Sequence, residues 1–278
     1  MLHILQELSI EGLAQAPFQP VNLEYVEKIL INDDVDAGNR MCSSVKNIYL
    51  PGFSAFVGAD ILSGASYIQM GNDETYELLI DLGTNGELLL LNKEKGFASS
   101  TACGPVFDHV ISGSKYGSDS MKVIANCVRR GLIDRTGKLA DSVFEKGISI
   151  DKNFIVKQEN IRNFQLAKGA IYAGIQCLLE KAHITVQDIS KVYISGGFGF
   201  YMDIRDAFTL KMLQKELKDK VEILGNTSLE GAKQWLLAKD TERKHILKMY
   251  QAIKQRTQSF ELSNLDCFQD YYIQALDF

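Results

Sequence analysis

Apolar and polar positions fall into regular strand and helix patterns from Tyr76 onward, and into shorter, less regular pieces before it. Glu77-Leu78-Leu79-Ile80-Asp81-Leu82 is a continuous apolar run interrupted by one aspartate, the pattern of a strand buried on both faces. Gly83-Thr84-Asn85-Gly86 reads as a turn, Glu87 to Leu91 as the returning strand, and Gly96 to Ala102 as a third strand. A helix is expected at Asp119 to Arg130. A long amphipathic helix is expected over Asn160 to Ala182, where Ile161, Phe164, Leu166, Ala167, Ile171, Ile175 and Leu178 recur near helical spacing. Lys191 to Ser195 reads as a strand that runs into Gly196-Gly197. Helix at Arg205 to Leu217, strand at Val221 to Leu224, and helices at Ser228 to Ala238 and Thr241 to Gln255 complete the series.

The first 75 residues read as short pieces. Helices are expected at Leu2 to Leu8, at Asn22 to Ile31 with Asn22 as its cap, and at Phe56 to Leu62. Ala16-Pro17-Phe18-Gln19-Pro20 blocks the first from continuing. Val45 to Leu50 reads as a strand ended by Pro51-Gly52, and Ser63 to Asn72, rich in small residues, as a turn-prone connection. A three-strand meander followed by alternating helices and strands implies an α/β layer structure with a mixed sheet. The aromatic tail (Phe260, Phe268, Tyr271, Tyr272, Phe278) reads as packed cover.

Composition narrows the classes. With 278 residues, 46% hydrophobic and 23% charged, the chain can bury a core of one large or two modest domains. A net charge of −5 and only isolated basic pairs, Arg129-Arg130 and Arg243-Lys244, argue against a nucleic-acid partner. No run of about 18 apolar residues is present to span a membrane, and the start lacks the pattern of a signal peptide. Five dispersed cysteines without a CxxC pair argue against a disulfide framework or a cysteine-held cluster, so a reducing cytoplasmic setting is expected.

Two segments could carry chemistry. Asp81-Leu82-Gly83-Thr84-Asn85-Gly86-Glu87 places a carboxylate at the end of a buried strand, followed by a glycine-rich hairpin. Consecutive backbone N–H groups in such a turn can cradle a phosphate, and Asp81 could hold a magnesium-bound water or orient a nucleophile. An Asn-Gly hairpin with no ligand explains the same residues. Ser195-Gly196-Gly197-Phe198-Gly199 follows a strand directly, where open α/β sheets bind ligands, and is either a base- or sugar-accepting loop or a tight strand-to-helix turn. It is not a dinucleotide fingerprint. Asp108 and His109 are adjacent and poorly placed to act as a pair; His3, His183 and His245 are isolated; Cys103 reads as a small buried residue.

These pieces, with Met1-Leu2-His3, Ala16-Pro17-Phe18, Leu50-Pro51-Gly52, Val57-Gly58-Ala59-Asp60, Gly104-Pro105-Val106-Phe107, Arg162-Asn163-Phe164-Gln165-Leu166-Ala167-Lys168 and Gly225-Asn226, occur in an order that resembles one family. It is the carboxy-terminal ATPase domain of the reductive activators of corrinoid proteins, in the superfamily of actin, sugar kinases and heat-shock ATPases. The resemblance implies a ribonuclease-H-like mixed sheet with flanking helices over 76–278, preceded by a truncated first lobe over 1–75. It implies ATP and Mg2+ bound at the second phosphate loop, Asp81, Gly83, Thr84, Asn85 and Gly86, and at the adenosine-side glycines Gly196, Gly197 and Gly199, with Asp81 as catalytic and metal residue. The activity implied is ATP-driven reduction of a cobalt(II) corrinoid that serves methyltransferases, with a corrinoid protein or methyltransferase as partner and electrons from a separate donor. Self-association would cover apolar surface left by a truncated lobe. The family's [2Fe–2S] domain and first phosphate loop have no counterpart in these residues, and Gly104-Pro105-Val106-Phe107-Asp108-His109 stands where the family has Gly-Pro-Ala-Phe-Glu-Gly. The same fold kept as a non-catalytic binding or regulatory module is the alternative.

Overall fold

The computed structural model describes residues 9–15, 29–31, 48–83, 85–101, 103, 117–151 and 154–278. In chain order its elements are α1 (Glu11–Ala14), β1 (Leu30–Ile31), β2 (Ile48–Tyr49), α2 (Ala59–Ile68), β3 (Tyr76–Leu82), β4 (Gly86–Leu91), β5 (Gly96–Thr101) and α3 (Gly117–Arg129). There follow β6 (Ile148–Asp151), β7 (Phe154–Val156), α4 (Gln158–Ala182), β8 (Ile189–Ser195), α5 (Gly196–Tyr201), α6 (Ile204–Thr209) and β9 (Val221–Gly225). The chain ends with α7 (Thr227–Leu237), α8 (Asp240–Arg256), β10 (Thr257–Ser259) and α9 (Asp266–Gln274).

Six strands form the central sheet in the order β10-β5-β4-β3-β8-β9. β3, β4 and β5 are an antiparallel meander, while β8 and β9 join β3 in parallel. This is the expected ribonuclease-H-like mixed sheet. The apolar run of β3 is buried because both faces are covered, as parallel pairing requires. Leu78, Ile80, Leu82, Leu88 and Leu90 point to one side and pack with Met121, Ile161, Phe164, Ile171 and Ile175 from α3 and α4. Leu79, Leu89, Leu91, Ala98 and Tyr193 point to the other and pack with Phe53, Ile61, Leu62, Tyr250 and Ile253 from the α2 region and α8. Each fully buried aliphatic side chain contributes about 1.5–3 kcal/mol.

Several expectations are corrected. The helix expected at Phe56 to Leu62 begins at Ala59 and runs to Ile68, through the residues expected to be a turn. Its small residues are contact residues: a Cβ on Gly64 would lie 2.5 Å from Thr227 Oγ1 of α7, and one on Gly231 would collide with Ser63. The helix expected over Arg205 to Leu217 stops at Thr209; Lys211 takes φ +50°, and a 3-10 segment follows at Lys215–Lys220. Leu210, Met212 and Leu213 are buried from an irregular segment, which preserves the apolar spacing without the helix. Leu30–Ile31, the end of an expected helix, are strand residues paired with Ile48–Tyr49. Asn22 to Lys28 of that helix, Leu2 to Leu8, Thr84, Asp108 and His109 lie outside the described residues.

Candidate nucleotide site

The site is built on the ends of β3, β4, β5 and β8, where register fixes who faces whom. Asp81 is the cross-strand partner of Glu87 on β4 and of Ser195 on β8; Glu87 in turn pairs with Ser100 on β5, and Ser195 with Gly225 on β9. Paired residues project to the same side of a sheet, and this side is that of Leu79, Leu89 and Tyr193. A polar row of Ser100, Glu87, Asp81 and Ser195 therefore crosses one end of this face, whose other buried acid, Glu77, accepts from the Tyr193 hydroxyl at 2.9 Å.

Asp81 is held firmly. The Ser195 hydroxyl donates to its Oδ2 at 2.6 Å. Its other oxygen lies against Gly196, where a Cβ would stand 2.7 Å from Oδ1 and would overlap the carbonyl oxygen of Leu82. Gly196 also has φ +88°, so its position demands glycine on two counts. Burial raises the Asp81 carboxyl above its ordinary value, the Ser195 hydrogen bond opposes this, and the charge of Asp60 adds to it. Burial likewise pushes Glu87 up to about 7, aided by Asp60 and then Asp81. Asp60 stands in the first turn of α2. Three acidic groups thus share one partly dehydrated corner.

The glycines expected to meet a ligand differ in what surrounds them. A Cβ on Gly197 would meet nothing within 4 Å, and one on Gly83 only Asn85 O and Asp81 Oδ1, at 3.8 and 4.0 Å. These two leave room beside the backbone. At Gly86 a Cβ would press on Thr101 Oγ1 and Cys103 Sγ, and at Gly199 on Ile194 Cγ2, so close packing by the protein itself accounts for both. Gly83 N–H donates to Asn85 C=O at 3.0 Å, closing the hairpin, and Asn85 is exposed. Gly196-Gly197 is the start of helix α5, not a free loop. Cys103 is buried as expected, its Sγ sharing a 3.2 Å hydrogen bond with Thr101 Oγ1. Sequence reasoning named Asp81 and the glycines as a site but gave Glu87, Asp60 and Ser195 no individual role. The signal for Glu87 and Ser195 was the strand register, which becomes readable once the hairpin is placed.

Among the described residues no three His, Cys, Asp or Glu side chains are arranged to hold a metal ion. A magnesium ion does not need such a cage, since it is commonly held by one or two carboxylates, waters and substrate phosphates. Asp81, with one oxygen tied to Ser195 and the other against Gly196 and toward the open side of Gly83, fits that mode.

The topology is that of a known lineage. Residues 112–278 match the family model described as the C-terminal domain of RACo, the ASKHA domain. The chain belongs to this family. The corrinoid activation enzyme RamQ of Eubacterium limosum is 28% identical over 300 aligned residues, covering 86% of this chain and 49% of that protein. The [Co(II) methylated amine-specific corrinoid protein] reductase of Methanosarcina barkeri is 29% identical over 123 residues, 44% of this chain and 22% of that one. A solved reductive activator for corrinoid, iron-sulfur protein superposes on the whole chain with a TM-score of 0.80 and 26% identity, over 51% of its own length. The chain spans about half or less of the length of each of these relatives. Among the described residues no helix is long and apolar enough to cross a membrane.

Proposed function

We propose that this chain is the nucleotide-binding, ATP-hydrolysing part of a reductive activator that restores cobalt(II) corrinoid proteins serving methyltransferases. The observation that carries the reading is the meeting of the β3–β4 hairpin and the β8–α5 glycines at Asp81, with Ser195 and Gly196 both in contact with its carboxylate. A phosphate chain would lie along the β3–β4 hairpin beside Gly83, and the nucleoside end beside Gly196 and Gly197. Asp81 would hold Mg2+, which when bound screens phosphate charge. Its tie to Ser195 keeps the carboxylate aimed at the magnesium-bound water or at an attacking water. The corrinoid partner is taken from the activities of the relatives, and the electrons would come from a separate donor. In this reading residues 76–278 form the second lobe and 1–75 what corresponds to the first, with α2 packed on the second lobe's sheet.

Calorimetric titration of the chain with ATP and ADP, with and without Mg2+, tests it. Saturable magnesium-dependent binding is expected, weakened at least tenfold in Asp81→Asn. Binding that is absent, or indifferent to Asp81→Asn, sinks the reading. A second reading, a non-catalytic module that docks on a corrinoid protein or a full-length activator, is favoured by Asp108-His109 standing in place of the family's Glu-Gly. It predicts partner capture that survives Asp81→Asn.

A further inference from the structure

On the side of the molecule covered by the C-terminal segment, α9 packs along α4. Near the C-terminal end of α4, Cys177 is fully buried, and its Sγ lies 3.7 Å from Sγ of Cys267 in the first turn of α9. Cys267 is half-buried, and both thiols line an open cavity of about 340 Å³ together with Glu180, Lys181, His183 and Asp266. The neighbouring Tyr271 hydroxyl donates to Glu180 Oε2 at 2.9 Å, which holds the two helices in register at this point. The far end of the strap is pinned separately: Gln165 Nε2 donates to the Leu276 carbonyl at 2.6 Å, and the buried Lys168 ammonium to the Asp277 carbonyl at 2.5 Å. Phe278 fills the core beside Phe164, so α9 cannot drift far from α4 even when its thiol end loosens.

From this geometry we infer that Cys177 and Cys267 are a reversible disulfide-forming pair that clamps the C-terminal strap to α4. A disulfide needs its sulfurs about 2.05 Å apart, so bond formation requires the two sulfurs, now 3.7 Å apart, to approach by about 1.7 Å. The cavity admits a low-molecular-weight disulfide to the more exposed thiol. Cys267 thiolate attacks one sulfur of that disulfide, forming a mixed disulfide and releasing one small thiolate, which takes up a proton. Cys177 then loses its proton and attacks Cys267 Sγ, expelling the second small thiol. Two protein thiols are oxidised to one disulfide, and the small disulfide is reduced to two thiols. Burial pushes Cys177 up to about 12 and raises Cys267 too, so the clamp closes slowly near pH 7 and faster as pH rises. The two cysteines are 90 positions apart, so closing this loop restrains the unfolded chain substantially.

The test is incubation of the folded chain with oxidised glutathione at pH 8.5, alkylation of free thiols, digestion and mass spectrometry without reduction. The expected product is a peptide joining Cys177 to Cys267, absent from Cys267→Ser, with a melting temperature several degrees higher that returns to the starting value on adding reductant. Cys177→Ser should instead stop at a stable glutathione adduct on Cys267. Wild-type protein that shows no linked peptide, that retains glutathione on Cys267, or that links only after denaturation overturns the inference.

Discussion

The two faces of the central sheet are made by the same strands and part company at one end. On the α3/α4 side the apolar positions run without a break to the last residue of β3, Leu82, and one core cluster joins strands to helices. On the α2/α8 side Leu79 and Leu89 give way to Asp81 and Glu87, and Ala98 and Tyr193 to Ser100 and Ser195. The difference separates two tasks that compete within one element. A strand gains stability from burying both faces, yet a phosphate site needs dehydrated polar groups and open backbone. Alternation along β3 lets one residue, Asp81, serve the site while its neighbours Ile80 and Leu82 hold the sheet together.

The largest effect should come from that neighbour pair. Ile80→Ala removes a fully buried side chain and should cost about 2–5 kcal/mol, with nucleotide affinity per folded molecule unchanged. Asp81→Asn should leave stability within about 1 kcal/mol of wild type while removing magnesium-dependent binding. Denaturant titration beside calorimetry separates the two. Comparable losses of stability from both substitutions would mean that the faces do not divide the work as described.

The second effect probes the apolar side's own exception, Lys168. This fully buried lysine has its ammonium on the Asp277 carbonyl and 5.2 Å from the Phe278 ring centre. Burial, and then the charge of Lys211, hold its pKa down to about 7, with Asp277 opposing. An unfolded lysine titrates near 10.5. Between these values the unfolded chain binds the extra proton, so stability rises with pH from about 7 to 10.5. At about 1.4 kcal/mol per unit over this window the rise is on the order of 5 kcal/mol. Lys168→Met should abolish this rise; a variant whose stability climbs over the same window as wild type would place the titration elsewhere.

How far the sequence anticipated the molecule follows the same division. β3, β4, β5 and α4 could be read because burial imposes a period on them, as in the apolar run at Leu78 to Ile80 and the helical spacing from Ile161 to Leu178. The second part of α2 was hidden because its buried residues are Ser63, Gly64, Ala65 and Ser66, small residues that let α7 approach closely and that otherwise suggest a turn. β10 was hidden because Thr257, Gln258 and Ser259 are polar; they join the sheet by pairing with Gly96, Phe97 and Ala98, and Ser259 donates to the Phe53 carbonyl at 2.8 Å. The β6–β7 hairpin is too short to give a period of its own. At the site, Asp81 and the glycines stood out from local spacing. Glu87, Asp60 and Ser195 are brought together by tertiary pairing, which no local window contains.

The smallest effect sharpens the polar end. Glu87 titrates near 7 in the folded protein and near 4.5 when unfolded. Between those values the native state keeps a proton that the unfolded chain has released, so stability in metal-free buffer should fall as pH rises from about 4.5 to 7 and level off above it. Because Glu87 is only partly buried, solvent screening reduces this to about 1 kcal/mol. Glu87→Gln keeps the shape without the charge, so it should flatten the decline and be the more stable protein above pH 7. Denaturant midpoints at pH 5, 6, 7 and 8 read both curves, and parallel curves would remove Glu87 from the account. Two further variants assign the cause. Asp60 contributes more than Asp81 to raising Glu87, so Asp60→Asn should move the midpoint of the decline downward further than Asp81→Asn does. The reverse order would mean that the cross-strand pair, and not the first turn of α2, sets the charge balance of this corner. The acidic row would then belong to the sheet alone.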